Sequence, residues 1–361
     1  MKICIDCRMW GRPYAGIGRY TKEIVEHILL HKRWSLALLC FEPSYKELED
    51  FIHRNSITDV ELILCKNGLF SLKAQIELFF KIPKCDVLWI PSINIPLLQT
   101  RAKTMISTIH DVFHIAHPEY YSWLKLSVLK LLIGSCVKKS KLIFTVSDFS
   151  ASEILRFFGE ENRKKIVRIY NGFTPIRKDN ITNCDRYKNF FLFVGSVKPH
   201  KNLKNALLGF EEFSRVSNDV SLVIVGKKDG FVTADNEFDS IVSRINQNKE
   251  KVFFVGNVND DELYSLYNGA KALIFPSFYE GFGLPLIEAM YFGLPIACSD
   301  IGVFYEICGD NVQYFDPYSI KSITDAISKV YKENRKEYPR WQSWDITGDM
   351  VSSNIEKLVL R

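Results

Sequence analysis

The most informative residues are two glutamates, Glu280 and Glu288, which stand eight positions apart with Gly281, Gly283 and Pro285 between them. Carboxylates accept hydrogen bonds from sugar hydroxyls but repel phosphate. Glycine lets a backbone turn tightly and approach a ligand closely. Proline suits the first residue of a helix, because it has no amide hydrogen to leave unpaired there. The spacing therefore predicts a tight turn that leads into a helix starting at Pro285.

This helix would begin in a way that favours an anion. We expect the free amides of Phe282, Gly283 and Leu284 to point outward at its N-terminus, where the helix dipole attracts negative charge. Glu280 and Glu288 would then bracket the anion and contact sugars on either side of it. The implied ligand is a nucleotide sugar. The alternative is a strand-turn-helix unit whose glutamates are only solvated.

The same stretch resembles a known motif. The run E-G-F-G-L-P-L-I-E-A-M, which begins at Glu280, is similar to the glutamate-x7-glutamate motif of the retaining glycosyltransferases of family 4. The resemblance implies the GT-B fold, with two Rossmann-like domains that face each other across a cleft. It also implies that Glu280 contacts the donor sugar and that Glu288 holds the ribose hydroxyls of the nucleotide.

A second motif lies earlier in the chain. Val194–Asn202 resembles the Gly-x-x-x-Pro-x-Lys-Asn segment of the family, in which a lysine, here Lys201, reaches the donor pyrophosphate. A lysine is a compact charge on a flexible stem, so it could neutralise the leaving diphosphate. Ser196 stands where many members carry an arginine, and Lys198 or His200 could supply that second cation. The alternative is an ordinary lysine near a helix start.

A histidine ends a predicted strand of the first half. The resemblance implies that His110 contacts the donor sugar, and we expect Asp111 to fix its tautomer. One alternative is a metal site of His110, His114 and His117, which the non-helical spacing disfavours. Another is a structural histidine with satisfied hydrogen bonds.

Several loops are weaker candidates. Gly16 and Gly18 belong to a glycine-rich loop, Gly11 to Arg19, which resembles the family's N-terminal loop near the donor phosphates and the acceptor. Pro91 to Asn94 is a candidate acceptor contact. The resemblance also implies that the base lies near Asn257 and Val258 and near the loop from Val225 to Lys227, held there by backbone groups. Asp300 and Glu306 follow the next strand, and we expect a structural role for them.

The elements that would position these residues alternate along both halves. Short apolar runs alternate with amphipathic segments, which is typical of parallel sheets covered by helices. We predict an N-terminal domain at 1–172 and a C-terminal, donor-binding domain at 185–340, joined by a polar linker at 172–189. A last helix at about 345–361 should pack back onto the first domain, and 119–139 should form one long helix.

Composition narrows the class further. The nine cysteines are scattered and mostly lie inside apolar runs, which indicates a reducing, cytoplasmic compartment. Cys4 and Cys7 have the spacing of a redox motif but lie on a strand rather than at a helix start. We expect no secretory signal and no membrane span.

Charge is distributed unevenly. Residues 1–182 carry 27 Lys and Arg against 18 Asp and Glu, whereas 183–361 carry 20 against 24. A basic first half suggests an anionic partner, either a membrane surface or a phosphate-bearing acceptor. The helix at 119–141 mixes aromatic residues, leucines and lysines, so it could rest on anionic lipid or could face the core. We expect no nucleic-acid partner.

The resemblance implies a retaining glycosyltransferase that moves a hexose to a saccharide or lipid-linked acceptor, with mannose from GDP-mannose as the first hypothesis. The diphosphate would leave from the front face, stabilised by Lys201, while His110 and Glu280 fix the sugar. No cofactor is expected and, since Asp-x-Asp is absent, no metal. The alternatives are a UDP-sugar transferase, a sugar-nucleotide epimerase or hydrolase, and a non-catalytic module that binds nucleotide sugar. An incomplete Gly-x-Gly-x-x-Gly disfavours an oxidoreductase.

Overall fold

The computed structural model describes residues 1–11, 14–32, 34–174, 186–226 and 236–360. They divide into two compact units. The first unit comprises Met1–Gly172 and Gln342–Arg361, and the second comprises Phe173–Trp341. The first boundary falls at the start of the predicted linker, most of which lies outside the described residues.

The first unit is built on a parallel sheet of seven strands. The strands are β1 (Lys2–Asp6), β2 (Ser35–Cys40), β3 (Val60–Leu64), β4 (Cys85–Ile90), β5 (Ala102–Ile109), β6 (Leu142–Thr145) and β7 (Ile166–Arg168). They lie in the order β3-β2-β1-β4-β5-β6-β7. Helices cover both faces of such a sheet, which is why its central strands are nearly continuous apolar runs.

The helices of this unit include two that the sequence did not predict, α2 and the short α4. The helices are α1 (Ala15–His31), α2 (Glu42–Arg54), α3 (Leu72–Lys81), α4 (Phe113–Ala116), α5 (Trp123–Lys139), α6 (Asp148–Phe158) and α13 (Trp344–Val359). The last of them packs against α1. Gly172 makes room for this packing, since a Cβ there would lie 2.3 Å from the backbone nitrogen of Trp344.

The prediction of one long helix from Glu119 is wrong. A short 3-10 turn covers Pro118–Tyr120, and the helix proper begins only at Trp123. Tyr121 and Ser122 between them have extended backbones, with ψ near 150°. The side chains keep a helical spacing across these extended residues. The periodicity of the sequence could therefore not reveal where the helix begins.

The second unit has a parallel sheet of six strands. The strands are β8 (Phe190–Val194), β9 (Ser221–Val225), β10 (Val252–Gly256), β11 (Ala272–Phe275), β12 (Ile296–Ser299) and β13 (Gln313–Phe315). The helices are α7 (Leu203–Ser214), α8 (Asn236–Ile245), α9 (Asp260–Gly269), α10 (Leu284–Tyr291), α11 (Gly302–Cys308) and α12 (Ile320–Lys332). The predicted α/β class with two Rossmann-like sheets is confirmed.

Strand order reverses once in each sheet. In the first unit it reverses between β1 and β4, and in the second between β8 and β11. The connections that follow such a pair of strands diverge to opposite sides, which opens a crevice at the carboxyl ends of the strands. Lys201 follows β8 and Glu280 follows β11, so the two strongest candidates flank the reversal in the second unit.

Candidate active site

Lys201 and Glu280 meet directly. The Lys201 Nζ donates to Glu280 Oε1 over 2.5 Å, and Ser277 Oγ donates to the same oxygen over 2.7 Å. The two charged side chains are 17% and 13% exposed, so water screens them only in part. A charge-assisted hydrogen bond in such surroundings is stronger than one on the open surface. The two residues assigned to neighbouring parts of one ligand are therefore side by side.

The loops that hold this pair are joined by a main-chain hydrogen bond. Pro199–Lys201 forms a single 3-10 turn, and Asn202 then adopts a left-handed conformation with φ of 54° before α7 begins. The Phe278 amide donates to the His200 carbonyl over 2.8 Å. The position of Lys201 relative to Glu280 is thus fixed by backbone as well as by side chains.

Glu288 lies in α10 and is only 4% exposed. Its Oε2 accepts a hydrogen bond from the Tyr267 hydroxyl over 2.8 Å. Because a buried carboxylate is costly without such partners, the tyrosine hydroxyl stabilises Glu288 in this position. Sequence reasoning missed Tyr267, since nothing in the motif points to a residue on α9.

The start of α10 differs slightly from the prediction. Leu284 is the first helical residue and Pro285 the second, after Gly283 with φ of 111°. Proline is tolerated there for the predicted reason, because amides of the first turn have no carbonyl to bond within the helix. The side chain of Phe282 is buried against Trp341, with ring centroids 5.7 Å apart, so only its backbone is left to face a ligand.

Loops after β8, β9 and β10 converge on one another. The Gly195 amide donates to the Val225 carbonyl, and the Gly226 amide donates to the Gly256 carbonyl. A Cβ at Gly226 would lie 2.0 Å from the Gly195 carbonyl oxygen, so only glycine fits. Asn257 is exposed and Val258 partly buried beyond this junction, where the resemblance implies the base. Lys227 lies outside the described residues.

Ser196 bonds back to its own loop through its carbonyl, which accepts from the Lys198 amide over 2.8 Å. The side chain of Lys198 is exposed, whereas that of His200 is partly buried. Asp300 is exposed, and its amide donates to the Phe315 carbonyl, which suits the structural role expected of it.

In the first unit, His110 lies at the carboxyl end of β5 and is partly buried. Its Nε2 lies 3.1 Å from the Pro91 carbonyl, and the Tyr20 ring meets the imidazole edge-on at 4.8 Å. A carbonyl only accepts, so Nε2 carries the proton and Nδ1 has the lone pair. Burial lowers the pKa of His110, against a smaller upward effect of the Pro91 hydrogen bond. The ring is therefore neutral near pH 7.

The predicted role of Asp111 is wrong. Asp111 Oδ1 accepts from the Phe113 amide over 3.0 Å and thereby begins the short helix α4. An aspartate two residues before a free helix amide is well placed for such a bond. The Pro91 carbonyl fixes the tautomer of His110 instead, because β4 and β5 are neighbours in the sheet.

The metal alternative for the three histidines finds no support in the part of the chain that the structure describes. No group of three or more His, Cys, Asp or Glu side chains there could hold an ion. His117 Nδ1 pairs with Glu119 over 2.9 Å. The eight described cysteines are free and buried, and Cys184 lies outside the described residues. Burial raises the pKa of the Cys4 and Cys7 thiols, which makes them poor redox nucleophiles.

The glycine-rich loop is shorter than predicted. Gly16 and Gly18 lie in the first turns of α1, which begins at Ala15. The Gly11 amide donates to the Gly18 carbonyl, and a Cβ at Gly18 would lie 1.9 Å from the Gly11 carbonyl oxygen. Gly18 is thus needed for close packing of the loop on the helix, while Gly16 is exposed.

The second unit matches a known protein family. Residues 177–343 match the family described as glycosyl transferases group 1. This range contains Lys201, Glu280 and Glu288. The chain is a glycosyltransferase of the GT-B fold. The family number 4 assigned from the motif is compatible with this match.

The relatives of this glycosyltransferase carry similar names. O-antigen chain mannosyltransferase B of Escherichia coli is 28% identical over 356 residues, which cover 92% of this chain and 91% of the relative. O-antigen chain mannosyltransferase RfbU of Salmonella typhimurium is 30% identical, over 66% of this chain and 62% of its own length. The serotype-specific mannosyltransferase WbdA of Escherichia coli is 35% identical over 46% of this chain and 21% of its own.

Solved structures support the fold. Anabaena HepE in complex with UDP and glucose has a TM-score of 0.75 at 16% identity, over 99% of this chain and 100% of HepE. WaaG, a glycosyltransferase involved in lipopolysaccharide biosynthesis, has a TM-score of 0.67 at 14% identity, over 99% of this chain and 98% of WaaG.

Proposed function

We propose that this glycosyltransferase moves mannose from GDP-mannose to a saccharide or lipid-linked acceptor in the synthesis of a cell-surface polysaccharide, with retention of configuration. The main support for this proposal is the pair of Lys201 and Glu280 at the strand-order reversal of the second unit, next to the N-terminus of α10. The relatives named as O-antigen mannosyltransferases support the choice of sugar and acceptor class.

The residues would divide the work as follows. The ammonium of Lys201 and the first amides of α10 would hold the diphosphate and stabilise the charge that builds up as it leaves. The carboxylate of Glu280, released from Lys201 in part by the incoming anion, would accept a hydrogen bond from a sugar hydroxyl. Glu288, held by Tyr267, would accept from the ribose.

His110 would contribute from the first unit as a neutral group. With Nε2–H bonded to the Pro91 carbonyl, Nδ1 is left to accept a hydrogen bond from a sugar hydroxyl. Gly16 and Gly18 would lie near the phosphates and the acceptor, and Asn257 and Val258 near the base. These placements rest on the family resemblance.

We further propose that donor binding needs no metal, because Lys201 and the helix dipole supply the positive charge. The enzyme would work in the cytoplasm, peripherally at the inner face of the membrane where a lipid-linked acceptor is found. No helix of the described residues is both long and apolar enough to cross a membrane.

The test is a transfer assay with labelled GDP-mannose, UDP-glucose and ADP-glucose, an extract of membrane lipids as acceptor, and EDTA present throughout. We expect label from GDP-mannose in the lipid fraction, lost in Lys201→Ala. The control is Lys188→Ala, which removes an exposed lysine near the opposite, amino end of β8.

Other outcomes would contradict this proposal in specific ways. Transfer from UDP-glucose alone would establish the alternative donor class. Release of free sugar or an epimer without acceptor would indicate a hydrolase or epimerase, and binding without any turnover would indicate a non-catalytic module.

A further inference from the structure

Helix α3 exposes an apolar stripe to solvent. Leu72, Ile76, Phe79 and Phe80 are spaced i, i+4, i+7 and i+8, so they share one side of the helix. They are 83%, 55%, 40% and 67% exposed. The opposite side, which includes Ala74 and Leu78, is buried on the sheet. The helix is therefore apolar on both sides, and among the described residues only one of these sides is covered.

Helix α5 repeats this arrangement. Its buried side carries Leu129, Leu132, Ile133, Cys136 and Val137. Its outer side carries Trp123, Leu124, Val128 and Leu131, which are 73%, 60%, 50% and 57% exposed. The sequence left open whether this helix faces the core or a lipid surface. The structure shows a core-facing side and, in addition, an uncovered apolar side.

The two helices lie on the same face of the sheet. Leu78 of α3 and Ile133 of α5 belong to one buried apolar cluster. The segment 95–97 is bonded to both helices, because Gln75 on α3 donates to the Ile95 carbonyl and Lys139 on α5 donates to the Pro96 carbonyl. Leu98, the next residue, is 45% exposed. We call the outer sides of α3 and α5, with Leu98, the two-helix face.

The charge around this face is predominantly positive. Segments 66–84, 95–101 and 123–141 together carry ten Lys or Arg residues and a single acidic one, Glu77. That carboxylate is already paired with Lys81 over 3.0 Å and is turned inward, with 8% exposure. Lysines 125, 130 and 138 on α5 are exposed. The face thus combines apolar side chains with a positive surround.

We propose that the two-helix face rests on an anionic lipid bilayer. Apolar side chains with a border of lysines suit a lipid interface, since lysine stems lie along apolar surface while their charges reach the headgroups. Tryptophan, here Trp123, favours the same depth. Protein interfaces, in contrast, are depleted in lysine. This inference deepens the proposed function, because a lipid-linked acceptor would be presented at this surface.

The test is co-sedimentation of the full chain with vesicles of phosphatidylcholine containing about one-third phosphatidylglycerol, at moderate salt. Two double variants remove apolar contacts, Ile76→Ser with Phe80→Ser on α3 and Leu124→Ser with Leu131→Ser on α5. We expect each to lower the partition coefficient about tenfold. The control, Val216→Ser with Tyr318→Ser, removes apolar side chains of the second unit that are still more exposed, at 83% and 70%, and should bind as wild type does.

Two further measurements separate lipid binding from other effects of the substitutions. Vesicles of phosphatidylcholine alone should bind the wild type about tenfold more weakly, because the lysines then lose their anionic partners. Melting temperatures of all variants should match that of wild type, so that misfolding is excluded. Binding to the charged vesicles that survives both double variants would overturn the proposal.

The proposal would also be overturned if light scattering showed a wild-type dimer that both double variants dissociate. The two-helix face would then be an interface between two copies of the chain. The proposed function is judged separately, by the rise in melting temperature with GDP-mannose in the absence of vesicles. Vesicle binding without that rise would refute the donor site but leave the two-helix face in place.

Discussion

The carboxyl edges of the two sheets differ in the charge of their candidate side chains. In the second unit, the strand-order reversal carries a partly buried ion pair, Lys201 and Glu280, next to a helix N-terminus. In the first unit, the corresponding edge carries His110, whose pKa is lowered by burial and whose proton is bonded to a main-chain carbonyl. Under the proposed function, the cation for the leaving diphosphate would come from the second unit, whereas His110 would offer a neutral acceptor.

The largest effect should follow from Lys201→Ala. If this lysine is the main cation for the leaving group, kcat should fall about a thousandfold, as when a strong electrostatic contact to a transition state is removed. Lys188→Ala should leave kcat unchanged. A fall in kcat of less than about tenfold in Lys201→Ala would contradict this difference between the two units, because some other cation would then stabilise the diphosphate.

Glu280→Gln should lower kcat about a hundredfold, since it removes a charged acceptor for the sugar. The exposed Glu250→Gln serves as the control. Because Lys201 and Glu280 touch, we expect the double variant Lys201→Ala with Glu280→Gln to lose much less than the product of the single losses. Fully multiplicative losses in steady-state kinetics would show that the pair does not act as a unit.

The junction of loops in the second unit can be tested by stability. Gly226 and Gly256 both have positive φ, but only at Gly226 would a Cβ meet backbone, 2.0 Å from the Gly195 carbonyl oxygen. Gly226→Ala should therefore lower the free energy of unfolding by about 2 kcal/mol more than Gly256→Ala. Urea titration of both variants measures the difference, and equal losses would mean that the loops do not depend on this close approach.

The smallest effect concerns His110 and pH. A histidine whose pKa is lowered on folding is protonated more readily in the unfolded chain, so its contribution to stability is present above about pH 6.5 and is lost as pH falls below that value. Wild type should lose stability more steeply than His110→Gln in that acid range. The exposed His53→Gln is the control, and parallel pH curves for wild type and His110→Gln would contradict a buried neutral ring.

At pH 7, His110→Gln should reduce kcat by only about tenfold, because the substitution removes one neutral hydrogen bond to the sugar. A fall in kcat as large as that of Lys201→Ala would contradict the distinction between a charged edge in the second sheet and a neutral one in the first.

The sequence predicted most of the fold, although it missed β13 in the second unit. Strands such as β8 and β11 are buried apolar runs of unambiguous length, and the start of α10 was placed within one residue because glycine and proline mark it. The break before Trp123 was missed, since extended backbone at Tyr121 and Ser122 leaves no trace in side-chain periodicity.

For the site, residue types were more predictable than partners. Glu280, Lys201 and His110 were found from motifs, but the bond between Lys201 and Glu280 spans 79 positions and depends on the pairing of β8 with β11. The partner of His110 was assigned to the adjacent Asp111, whereas the fold supplies the carbonyl of Pro91. Tyr267 was missed for the same reason, because it reaches Glu288 from another helix.

Under the proposed function, the second unit holds a nucleotide diphosphate sugar through Lys201. A thermal-shift panel tests it most directly, with GDP, UDP, ADP and their common sugar conjugates, without metal, on wild type, Lys201→Ala and Lys188→Ala. We predict that GDP and GDP-mannose at about 100 times Kd raise the melting temperature of wild type and Lys188→Ala by several degrees, and do not raise that of Lys201→Ala. Equal shifts in wild type and Lys201→Ala, or no shift with any nucleotide even when lipid extract is added, would contradict the account.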